Sequence, residues 1–127
     1  MMRDMDFVRK ILLKVESLRD PSSDDLLKQN ASDANRATVS EHLRMLIDEA
    51  KLITGTAISD TDGEEVWIDL KLTWAGHDFL DAVRDPKVWA RTKRGAEHVK
   101  GFTFDLVKDL AKGLLKKQIE EHTGVKL

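Results

Sequence analysis

Apolar residues recur every three or four positions from residue 4 to residue 19. Met5, Val8, Ile11, Leu12, Val15 and Leu18 share one helical face, and Arg9, Lys10 and Lys14 fall opposite. Asp4 or Asp6 suits the positive N-terminal end of such a helix. Asp20-Pro21-Ser22-Ser23 stops it, because a residue before proline avoids helical angles. Residues 24–37 carry no clear period. Asp25-Leu26-Leu27-Lys28 fits one helical turn or a short strand, and Asn30 to Asn35 is rich in turn formers. Thr38 followed by Glu41 is a capping-box pattern that opens a second helix. Val39, Leu43, Leu46, Ile47 and Ala50 occupy a narrow arc of it, with Glu41, Arg44, Met45 and Asp48 opposite.

The period then falls to two. Leu52 to Ile58 suits a strand, Asp60-Thr61-Asp62-Gly63 a turn, and Val66, Ile68, Leu70 and Leu72 alternate with Trp67, Asp69 and Lys71. Two such strands around a turn make a β-hairpin. Helix returns after Thr73, with Gly76, Phe79, Leu80 and Val83 inward. Gly76 is the position at which that helix comes close to the sheet. Asp85-Pro86 ends this helix and starts another, with Val88, Trp89, Thr92, Ala96 and Val99 on its apolar side and Gly101 at its end. Thr103 caps a last helix running to about Glu121. Its stripe of Leu106, Val107, Leu110, Ala111, Leu114, Leu115 and Ile119 is wider than one core contact requires.

This order predicts an α+β fold: a winged helix-turn-helix with a two-stranded wing and extra C-terminal helices. Residues 1–127 form a single winged-helix domain, with 86–121 as a C-terminal helical extension suited to dimerisation. The helix starting near Thr38 takes the recognition position.

The stretch Thr38 to Ile53 resembles the helix, double-leucine, turn and leucine-isoleucine signature of bacterial winged-helix regulators. Leu72-Thr73-Trp74-Ala75-Gly76-His77-Asp78-Phe79-Leu80 is similar to the segment that follows their wing. Arg3-Asp4-Met5-Asp6, His42-Leu43, Leu72 to His77, Phe79 to Asp85 and Val88-Trp89 more closely resemble an uncharacterised bacterial and prophage family, a domain of unknown function assigned a winged-helix fold. That resemblance covers nearly the whole chain and implies the fold but no activity. The regulators usually carry glycine where this chain has Lys51. A non-glycine in a left-handed cap costs about 1 kcal/mol, so that corner is expected to differ here.

Composition narrows the chemistry. The chain has 127 residues and a net charge of −2, is 41% hydrophobic and 35% charged, and has no cysteine. It can fill one core, but has no disulfide, iron–sulfur cluster or thiolate zinc site. No apolar run approaches a membrane span of about 20 residues. Met1 to Asp6 mixes charges and lacks an apolar leader, so a cytoplasmic protein is expected. His42, His77, His98 and His122 form no close ligand pair. No phosphate loop or nucleophile elbow appears. We expect no enzyme, no metal and no cofactor.

Two functions remain. In the first, the chain is a DNA-binding, transcriptional-regulator-like protein of bacterial or prophage origin, with Arg36, Thr38, Ser40, His42 and Arg44 as contacts. Against this stands an acidic wing tip of Asp60, Asp62, Glu64 and Glu65, which phosphate repels. In the second, it is a protein-interaction winged helix that meets a partner with its acidic wing and Met45. Positive charge gathers late: Arg84 to Lys117 holds ten basic and four acidic residues, a surplus of +6. Trp67, Trp74 and Trp89 suit packing better than base stacking. Leu106, Leu110, Leu114 and Leu115 are the candidate homodimer interface.

Overall fold

A computed structural model describes residues 3–29, 36–98 and 103–126. Among these it has six α-helices and one two-stranded antiparallel sheet, a mixed α+β arrangement. The chain divides into two compact units, 1–77 and 78–127.

In the first unit, α1 (Met5–Ser17) starts where the Asp4 carboxylate accepts the Phe7 N–H at 3.2 Å. It buries Met5, Phe7, Val8, Ile11, Leu12 and Val15. The ambiguous segment after Pro21 is helical: α2 spans Ser23–Gln29. The Asp25 carboxylate accepts the Ser22 N–H at 2.9 Å, while the Asp25 N–H donates to the Ser22 carbonyl. Such reciprocal bonding satisfies donors that a helix start leaves open. Ser23, itself buried, accepts the Trp67 N–H at 2.9 Å and ties α2 to the sheet. The turn-rich stretch Asn30 to Asn35 lies outside the described residues.

Helix α3 spans Arg36–Arg44, beginning two residues before the expected Thr38 cap. Thr38 is therefore inside the helix, where its carbonyl takes a hydrogen bond from His42. The next five residues, Met45–Glu49, form a π-helical turn closed by the Ala50 N–H on the Met45 carbonyl at 2.9 Å. Lys51 then takes φ 57°, so the corner is left-handed without glycine, against expectation. Strands β1 (Ile53–Ser59) and β2 (Glu65–Leu72) pair from Ile53 with Leu72 to Ser59 with Glu65. Asp60 holds the turn, its Oδ1 accepting from the Asp62 and Glu64 N–H groups at 2.9 Å each.

The register slips between Thr54 and Thr56, where Asp69 adopts φ 55°. Two residues of β2 thus oppose one of β1, a bulge whose left-handed position is normally glycine. It breaks the expected alternation: Val66, Trp67 and Leu70 are buried, so Trp67 does not lie on the polar side.

Thr73 starts α4 (Trp74–Val83). Its hydroxyl accepts the Gly76 N–H at 3.0 Å and donates to the Lys51 carbonyl at 2.8 Å. A Cβ on Gly76 would stand 2.0 Å from the Leu52 carbonyl oxygen, so the close approach expected there is real. Trp74, expected to pack, is instead 89% exposed.

In the second unit, Asp85 caps α5 (Pro86–His98), accepting from the Lys87 and Val88 N–H groups at 2.7 and 3.3 Å. Helix α5 buries Val88, Trp89, Thr92 and Ala96. Val99 and the expected stop at Gly101 lie outside the described residues. Thr103 caps α6 (Phe104–Thr123), and Gly124 ends it at φ 73°. Phe79 and Phe104 stack with centroids 4.8 Å apart.

Candidate functional site

The outer face of α3, its π turn and the adjoining hairpin tip carry most of the candidate residues. An α-helix repeats every 3.6 residues, so Val39, Leu43 and Leu46 go inward and Glu41, Arg44 and Asp48 point out. Glu41, Arg44, Met45, Asp48 and Glu49 line a shallow hollow of about 460 Å³ with Met45 half-buried among them. Glu49 was not anticipated, although it follows Met45 by one helical turn.

Both arginines expected to meet DNA are engaged by the hairpin. Arg36 Nε lies 2.7 Å from a Glu64 oxygen, and one of its terminal nitrogens lies 3.6 Å from Asp24 and 3.9 Å from Asp60. Arg44 donates from one nitrogen to both Glu65 oxygens at 2.8 and 2.6 Å. Its guanidinium also sits 5.5 Å from the centre of the Trp67 ring, and the Trp67 indole N–H donates to Glu65 at 3.2 Å. Residues 36–72 contain four basic and eight acidic side chains, a net charge of −4. Each exposed pair contributes little to stability, typically under about 1 kcal/mol. Their consequence is electrostatic: the cations of this face already have anions beside them.

His42 departs from expectation. It is 1% exposed, so it lies under α3 rather than at a nucleic-acid surface. Its Nδ1 is 2.9 Å from the Thr38 carbonyl, and its Nε2 accepts the Asp4 N–H at 3.1 Å. A carbonyl can only accept, so the proton is on Nδ1 and the ring is neutral. The Phe7 ring meets it edge-on at 5.0 Å. His42 is thus a packing residue that links α3 to the start of α1. Thr38 and Ser40 are half-buried on α3.

In the second unit, part of the late positive charge is neutralised internally. Asp78 accepts from Lys112 at 2.9 Å and lies 3.5 Å from Lys108. The Lys112 hydrogen bond, opposed by desolvation and helped by the charges of both lysines, holds the Asp78 carboxyl below its usual range. Asp85 is held low by the backbone N–H groups of Lys87 and Val88, then by the Gln118 amide. On α6, Leu106, Leu110 and Leu114 line a hollow of about 340 Å³ together with Asp109 and Gly113. Leu115 is half-buried outside that hollow.

No group of three or more side chains suited to a metal ion occurs among the described residues. Among them no helix is long and apolar enough to cross a membrane. The family model described as hypothetical protein (DUF2513) matches residues 2–103. The chain belongs to the DUF2513 family. An uncharacterised protein of Haemophilus influenzae is 31% identical to this DUF2513 member over 120 residues, spanning 94% of this chain and 99% of that one. No solved structure matches.

Proposed function

We propose that this DUF2513 protein is a winged-helix module that docks a protein partner through its acidic face. In this reading α3 holds the recognition position and the β1–β2 hairpin is the wing. The partner presents basic side chains around an apolar anchor that meets Met45. One observation carries the proposal: Arg36 and Arg44 are held by Glu64 and Glu65, within a segment, residues 36–72, of net charge −4. Duplex DNA needs the reverse, because phosphate contacts supply most of its non-specific affinity. Binding phosphate here requires breaking both arginine pairs and bringing the phosphates past Asp60 and Asp62.

The test is a titration of a fluorescently labelled peptide rich in lysine and arginine with a central leucine. We expect salt-sensitive binding that Glu41→Gln, Asp48→Asn and Glu49→Gln weaken together. Equal binding by the triple variant contradicts this placement of the site. A DNA-binding, transcriptional-regulator-like role is the second reading, supported by the element order and by the surplus of basic residues from Arg84 to Lys117.

A further inference from the structure

We propose that α6 pairs antiparallel with α6 of a second copy of the chain, crossing at Gly113. Three features carry this, and none depends on the acidic face. The first is the apolar hollow of about 340 Å³, lined by Leu106, Leu110 and Leu114, on the outside of α6. The second is Gly113 at its floor. Glycine is disfavoured inside a helix relative to alanine, and here no atom lies within 4 Å of where its Cβ would stand. Nothing among the described residues calls for a glycine at that point. A second helix passing close over it does, because the missing side chain lets two backbones approach.

The third feature decides both occupant and direction. Asp105, Asp109, Lys112 and Lys116 follow one another at spacings of three and four along one edge of the hollow, acids first and bases second. When two copies of a helix pack antiparallel, the same edge of each meets the other with its direction reversed. A crossing at Gly113 therefore sets Asp109 beside Lys116 of the second copy, and two-fold symmetry makes that contact twice. On the other edge of the hollow Leu110 meets Leu114 of the second copy, again twice by symmetry. A parallel pair sets this charged edge against the leucine edge and leaves both Asp109 side chains without a cation. Among the described residues Asp109 and Lys116 have no ion-pair partner within one chain, whereas Lys112 is taken by Asp78.

The chain has no cysteine, so single cysteines report geometry directly. Light scattering on the full chain should give twice the chain mass at micromolar concentration. Asp109→Lys should weaken the dimer at least tenfold, as should Lys116→Asp. Combining the two in one chain should restore it. Gly113→Cys should form a disulfide-linked dimer on oxidation. Leu106→Cys should not, because antiparallel packing puts the two copies of residue 106 about 20 Å apart. Circular dichroism confirms that each variant remains helical, which exposed or half-buried sites permit. A monomer at 100 μM overturns the proposal. So does a double charge reversal that fails to restore association, or a Leu106→Cys chain that cross-links as readily as Gly113→Cys.

Discussion

Replacing Gly76 by alanine puts a methyl group where there is no room. The added carbon would stand 2.0 Å from the Leu52 carbonyl oxygen, and real contacts of this kind are not found under 3.0 Å. The start of α4 must therefore move at least 1 Å away from the Leu52 corner. That corner is bonded throughout: the Leu52 oxygen accepts the Thr73 N–H at 2.9 Å, and the Leu52 N–H donates to Leu46 at 2.9 Å. The Thr73 hydroxyl caps α4 through Gly76 and also reaches the Lys51 carbonyl. The obstacle is backbone, which cannot swing aside as a side chain can. Overpacking costs about 1–3 kcal/mol, and loss of the cap about 1 kcal/mol more. Alanine returns about 1 kcal/mol of helix propensity. The net expectation is a loss of about 1–3 kcal/mol, read from urea unfolding followed by circular dichroism. Gly95→Ala is the control: its Cβ would meet Leu110 at an ordinary 3.6 Å, so it should be neutral or stabilising. If Gly76→Ala unfolds within 0.5 kcal/mol of the wild type, the tight α4 corner is wrong.

Lys51→Gly should stabilise by about 0.5–1 kcal/mol in the same assay, since relief of the left-handed strain outweighs the flexibility glycine adds to the unfolded chain; a loss of stability refutes the left-handed corner. His42→Ala should cost about 3 kcal/mol by opening a cavity and freeing the Asp4 N–H, whereas an exposed DNA-contacting histidine would cost almost nothing. Asp78 and Asp85 are both held below the ordinary carboxylate range when folded. Their contribution is therefore complete above the unfolded carboxylate pKa of about 4 and fades as pH falls through the folded values. Asp78→Asn and Asp85→Asn should each lower stability at pH 7, by a difference that shrinks as the pH falls below about 4; a difference independent of pH contradicts the assignment.

Local signals in the sequence were faithful guides. Asp4, Thr73, Asp85 and Thr103 each combine a capping side chain with an apolar period or a proline, and each starts a helix as expected. The hairpin follows from two alternating runs around Asp60 to Gly63. What escaped depends on residues far apart in the chain. The Arg44–Glu65 and Arg36–Glu64 pairs join α3 to the hairpin tip, and no helical or strand period encodes them. The bulge at Asp69 inverts the phase of β2 midway, so the strict alternation through Leu72 holds only in part. His42 was legible after all. It follows Val39 by three positions and precedes Leu46 by four, which puts it in the apolar arc. Its polar ring disguised a core position. Glu49 needed only one more helical turn of the same reckoning, and Trp74 was misplaced because it stands at the first position after the Thr73 cap, outside the buried face.

On the proposed reading, the α3 and hairpin face suits a basic protein segment and not DNA. Fluorescence anisotropy of a mixed genomic duplex at low salt, where electrostatic attraction is strongest, tests it most directly beside the basic peptide. The peptide should bind in a salt-sensitive manner while the duplex does not bind at this face. Duplex binding that Arg44→Ala weakens and that Asp60→Asn with Asp62→Asn strengthens would contradict it.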